Sequence, residues 1–157
     1  MNALPSRLFA AAALLLSMGA AWADEGSGPV TAEMKAAPAG RDAALVVTIT
    51  VAAPAHIYAP SEPQGRATPT SIALDLPAGV SLVKGWAFPE PIRTRGGDCI
   101  YAGSLQARCL LKVSPGLIGS TLHIRAVLRY QACTDEACWP PASLPLSATL
   151  RFDPRSP

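Results

Sequence analysis

Two cysteines five positions apart dominate the chemistry on offer. They lie in YQACTDEACWPP, residues 130 to 141, with an aromatic residue on each side and two prolines behind. Three uses compete for such a pair: a structural staple, half of a metal clip, or a disulfide that opens and closes. A bridge between Cys133 and Cys138 closes a very short ring, which the chain-entropy model credits with only about 2 kcal/mol. A staple that weak is dispensable to a domain with its own core, which is the condition a cycling disulfide must meet. The residues inside the ring bear on direction. Asp135 and Glu136 are carboxylates near the thiols, and nearby negative charge disfavours a thiolate. A strong disulfide donor needs the opposite, because oxidising power comes from a stabilised thiolate. The pair therefore reads as a poorly ionised dithiol that passes reducing equivalents to a specific partner.

The other two cysteines, Cys99 and Cys109, flank IYAGSLQAR. A turn around Gly103 and Ser104 would set them opposite each other on adjacent strands, so this second pair reads as a structural disulfide. Four cysteines allow three pairings, and the spacing alone leaves them open. Metal binding fits poorly. Zinc sites present close pairs of ligands, whereas Cys99 and Cys109 are ten positions apart and His56 and His123 are remote from all four cysteines. His56 reads as a packing or hydrogen-bonding residue and His123 as a solvated one. No metal or other cofactor is expected.

Strands must position these residues. Leu45, Val47, Ile49 and Val51 alternate with Val46, Thr48 and Thr50, the two-residue period of a half-buried strand. The period returns in SIALDLPAG with Ile72, Leu74 and Leu76, in TLHIRAVLRY with Leu122, Ile124, Ala126, Leu128 and Tyr130, and in LPLSATLRF. Prolines and glycines punctuate the chain at intervals too short for crossover helices, and no segment holds a helical period. The fold class that follows is all-β, an antiparallel sandwich of immunoglobulin type. Trp139-Pro140-Pro141 cannot continue a ladder, so the cysteine loop sits at a strand end.

The chain has 157 residues, with 13 Lys and Arg against 11 Asp and Glu. That balance points to neither nucleic acid nor an anionic membrane. Residues 1–23 combine a charged start, a short apolar run and Ala21-Trp22-Ala23, the pattern of a signal peptide cleaved after Ala23. No later segment is apolar enough to span a bilayer. Residues 24–43 read as a flexible leader or an edge strand, with the ordered domain over residues 44–154. All four cysteines lie in the exported part, where disulfides persist.

RYQACTDEACWPP, together with HIYAP, TPTSIALDLPAGV and WAFPEP in that order, resembles the amino-terminal periplasmic domain of DsbD-type thiol:disulfide interchange proteins. The resemblance runs from about Ala44 to Phe152. It implies an immunoglobulin-like domain that takes electrons from a membrane thiol reductant of DsbD type and reduces oxidised thioredoxin-fold proteins in the periplasm. Carried onto this sequence, Cys133 and Cys138 are the redox pair, with Cys138 the expected partner in mixed disulfides. Tyr58 matches a tyrosine near the active site, Tyr130 belongs to the lead-in, and Phe88 is the candidate for a cap shielding the cysteines. Trp139 divides evenly between a rim aromatic and a docking residue. The competing function is an immunoglobulin-like binding or chaperone-like module whose two disulfides are both structural.

Overall fold

The structure, a computed structural model, describes residues 28–61 and 67–152. Its strands are β1 (Val30–Ala39), β2 (Asp42–Val51), β3 (His56–Tyr58), β4 (Ser71–Asp75), β5 (Val80–Ala87), β6 (Ile92–Arg93), β7 (Cys99–Tyr101), β8 (Gly103–Val113), β9 (Thr121–Tyr130), β10 (Ala132–Cys133) and β11 (Ala142–Arg151). Every pairing between them is antiparallel. The described residues contain no α-helix, only a 3-10 turn at Pro115–Leu117. The architecture is an immunoglobulin-like β-sandwich, as the alternating pattern requires.

The largest sheet has the order β1-β2-β8-β5. In β2 the alternation is strict: Ala43, Leu45, Val47 and Ile49 are fully buried, and the residues between them are not. β8 answers with Leu105, Ala107, Cys109, Leu111 and Val113, so both central strands turn one apolar face to the core. The second sheet, β11-β9-β4, supplies the opposing face through Leu122, Ile124, Ala126, Leu128, Leu146 and Leu150. The third, β10-β3-β7-β6, is small and contributes Ile57 and Tyr101 to the same core.

Two expectations change here. Of the two readings of residues 24–43 the edge strand is the one formed, over residues 30–39, and the ordered domain begins ahead of Ala44, because β1 pairs with β2 along its whole length, from Val30↔Val51 to Ala39↔Asp42. Only Val30 and Met34 of β1 are buried, so its place at the edge rests on ladder hydrogen bonds more than on a side-chain pattern. Gly40, at φ 64°, occupies the left-handed conformation that the tight turn into β2 demands. The second change concerns Cys99 and Cys109. The expected disulfide is not formed; both residues are buried thiols. That bridge assumed a hairpin around Gly103 and Ser104, with β7 and β8 as neighbours. Instead β7 pairs with β3 and β6, while β8 pairs with β2 and β5, and the chain passes from one sheet to another at Ala102 and Gly103.

The fold also sets up the cysteine loop. β9 ends at Tyr130 in the second sheet, and two residues later the chain is in the third, with Ala132 opposite Ile57 and Cys133 opposite His56. The loop therefore emerges where two sheets meet.

Candidate functional site

Cys133 and Cys138 are joined by a disulfide, with Cα atoms 3.9 Å apart. The surrounding hydrogen bonds explain the close approach. Thr134 N–H donates to Ala137 O at 2.7 Å, and Trp139 N–H donates to Ala132 O at 2.9 Å. Residues 132 to 139 thus make a tight hairpin in which 133 and 138 form the pair between two hydrogen-bonded rungs, the position where facing residues come nearest. Asp135 and Glu136 take the two central positions. Thr134 Oγ1 accepts from Glu136 N–H at 3.3 Å and from Ala137 N–H at 3.2 Å, so a hydroxyl caps the turn.

The two sulfur-bearing residues differ sharply in exposure. Cys133 is 1% exposed, whereas Cys138, on the return limb, is exposed. Although buried, Cys133 is not a member of the main apolar cluster; its neighbour Ala132 is. By register, Ala132, Ile57 and Tyr101 share the core-facing side of the small sheet, while Cys133, His56, Tyr58 and Ile100 share the other. His56 and Tyr58 meet edge to face with ring centroids 5.6 Å apart. Tyr58 accordingly lies on the face of the cysteine, two residues along the neighbouring strand.

Other site residues fall into place around this hairpin. Trp139 is 42% exposed and, with Tyr130, Ala132, Pro140, Pro141, Ala142, Gly28 and Pro29, lines a hollow of about 220 Å³ beside Cys138. Tyr130 is buried, and desolvation pushes its hydroxyl above the ordinary range. Asp135 and Glu136 are exposed at the tip. Phe88 goes elsewhere: it stacks on Tyr101 with centroids 6.2 Å apart, and the Tyr101 hydroxyl donates to Pro89 O at 2.7 Å. Tyr101 belongs to the core-facing side, so the structure sets Phe88 against the face opposite that of Cys133. Among the described residues, no group of three or more His, Cys, Asp or Glu could hold a metal ion.

Two residues near the pair lie in segments that carried the resemblance, but neither was singled out for a role at the cysteines. His56 looked like a loop histidine far from any cysteine, yet pairing of β3 with β10 sets it directly across from Cys133. Gln131 looked like one more polar residue on an alternating strand. Its amide instead holds two segments together, accepting from Thr68 N–H at 2.9 Å and donating to Trp139 O at 3.1 Å. The usable signal for Gln131 was its place between a strand end and a proline pair that has no amide protons to offer.

No family model matches this chain, and no curated protein matches it. Among solved structures, the chain is similar to the N-terminal periplasmic domain of ScsB from Proteus mirabilis, with a TM-score of 0.51 and 17% sequence identity over 75% of this chain. The match covers 44% of that structure, so this chain spans less than half its length. A second similar structure is ACE19, the collagen binding subdomain of the Enterococcus faecalis surface protein ACE, with a TM-score of 0.43 and 10% identity over 82% of this chain and 99% of that one. At these identities the likeness to the ScsB domain is one of fold. No helix among the described residues is long and apolar enough to cross a membrane.

Proposed function

We propose that this chain is a periplasmic thiol-disulfide exchange module, relaying reducing equivalents from a membrane thiol reductant of DsbD type to oxidised thioredoxin-fold proteins. One observation carries the reading: a bonded cysteine pair at the rim of the sandwich with one sulfur-bearing residue buried and the other exposed. Exchange requires attack along the S–S axis at one chosen sulfur, and access makes that sulfur Cys138 Sγ.

The relay then runs in two balanced halves. A donor thiolate attacks Cys138 Sγ and expels the Cys133 thiolate, which takes a proton; a second donor thiolate resolves the mixed disulfide, leaving both cysteines reduced and the donor oxidised. In delivery, the Cys138 thiolate attacks the disulfide of an oxidised partner and releases one partner thiolate. Cys133 then attacks Cys138 Sγ and releases the other. Two electrons have moved, and the Cys133–Cys138 bond has re-formed. Asp135 and Glu136 are exposed at the tip of the loop, where solvent screens their charge, so the direction of flow rests on the partners rather than on these carboxylates. Tyr58, Tyr130 and Trp139 flank the pair as supporting residues. Phe88, stacked on Tyr101, has no part in this scheme.

The likeness to a domain described as periplasmic agrees with the export signal read at residues 1–23, a segment outside the described residues. The alternative, a binding module held by two structural bridges, is weakened because only one of those bridges is formed. A redox titration in dithiothreitol and glutathione buffers, with each cysteine followed by mass spectrometry, tests the proposal. The pair should open while the strand signal in circular dichroism persists, and a Cys133→Ser variant should capture oxidised thioredoxin-fold proteins through Cys138. Unfolding on reduction, or a trap that captures none of them, would overturn it.

A further inference from the structure

Once the Cys133–Cys138 bond opens, something else must keep the two thiols within reach of each other. The hairpin has little main chain with which to do this. Trp139 N–H is bonded to Ala132 O, but Pro140 and Pro141 follow and have no N–H to extend the ladder. The carbonyl of Trp139, one residue beyond Cys138, is instead met by a side chain: Gln131 Nε2 donates to it at 3.1 Å. The same amide accepts from Thr68 N–H at 2.9 Å, in the run that leads into β4, and two residues on Thr70 N–H donates to Tyr58 O in β3. Gln131 therefore fastens the return limb of the hairpin to the body of the domain. A carboxamide is suited to the place because it donates and accepts at once.

We infer that Gln131 is a positioning residue for the redox pair, setting the effective concentration at which the two thiols meet and hence the equilibrium between dithiol and disulfide. The inference rests on the pair cycling between oxidation states. In the oxidised form the S–S bond itself holds Cys138 beside Cys133, and the Gln131 bonds are redundant for proximity. In the dithiol the limb from Cys138 to Pro141 is kept in place by Trp139 N–H, by the Thr134–Ala137 turn, by Gln131 and, beyond Pro141, by the pairing of Ala142 with Tyr130. Loss of the amide loosens the dithiol more than the disulfide, and closing the ring then costs more chain entropy.

The test is equilibration of the whole chain in glutathione buffers, where protein dithiol plus glutathione disulfide gives protein disulfide plus two glutathione thiols. Two variants are compared with wild type. Gln131→Glu keeps an acceptor for Thr68 N–H but turns a carboxylate oxygen towards Trp139 O; Gln131→Met loses both bonds. Each should lower the closure constant about threefold to tenfold, a potential less negative by about 14 to 30 mV on the two-electron relation. Gln106→Met, on the exposed face of the largest sheet, should leave it unchanged. A merely structural role would lower the melting temperature of both forms and not move the potential; unshifted potentials in both Gln131 variants, or an equal shift in Gln106→Met, would overturn the inference. Shifted potentials without any captured thioredoxin-fold protein would sink the relay but not the role of Gln131, and a captured partner with unshifted potentials would do the reverse.

Discussion

Reduction of the Cys133–Cys138 bond should leave the sandwich folded, and the cost can be worked from the structure. The ring spans a sequence separation of 5, for which chain-entropy closure gives about 2 kcal/mol. Little else is lost. Cys133 lies outside the main apolar cluster, and the Thr134–Ala137 and Ala132–Trp139 hydrogen bonds do not depend on the sulfurs. Domains of this size are stable by about 5 to 15 kcal/mol, so the reduced form keeps most of that margin. At about 3 to 6 °C per kcal/mol, the melting temperature should fall by about 6 to 12 °C. The assay is thermal unfolding followed by circular dichroism, with and without dithiothreitol, on the unmodified sequence. Because Cys99 and Cys109 are already thiols, the reductant acts on one bond. A drop beyond about 25 °C, or loss of the cooperative transition, would refute the reasoning and return the disulfide to a structural role.

Alkylation of the reduced protein at pH 8 should label Cys138 first and Cys133 at least about tenfold more slowly, since access differs at equal chemistry. Cys109, whose thiol is pushed up to about 11 by burial, should resist until the domain is unfolded; peptide mass spectrometry reads all of these. That same thiol predicts an alkaline weakness. Its folded value lies above the ordinary 9.0, so the stability it contributes is full below about pH 9 and is lost as pH rises towards 11. Urea midpoints across that range should decline less steeply in Cys109→Ala than in wild type. Leu128→Ala, at a fully buried position of β9, should cost about 2 to 5 kcal/mol in urea unfolding. Arg125→Ala, which removes an exposed ion pair with Asp75, should cost less than about 1 kcal/mol.

What could be read in advance divides along physical lines. β9 and β11 alternate apolar residues with mostly polar ones, and β2 does so from Val47 to Val51, because one face of each is buried, and that pattern is written in the residues themselves. β1 is written faintly, since an edge strand with two buried side chains is specified by its neighbour's backbone. β5, in VSLVKGWA, is mostly exposed and pairs with register shifts, so it shows no clean period either. The bonded cysteine pair was legible because a hairpin is local: four residues and a turn decide it. Cys99 and Cys109 were misread because their relation depends on which sheets β7 and β8 join, and only distant pairing determines that. Of the neighbours of the cysteine pair, His56 escaped for the same reason, since it faces Cys133 across 77 positions of intervening fold, and the part Gln131 plays escaped because it rests on side-chain bonds to Thr68 and Trp139.

The proline pair behind Cys138 has one more effect. Exposed sheet margins invite other chains to lie alongside and zip on, forming contacts that are slow to part. At Pro140 and Pro141 the margin offers no amide protons, so a visiting strand that meets the chain at Cys138 cannot zip on past it. A surface of that kind favours brief visits, as the proposed relay between partners requires.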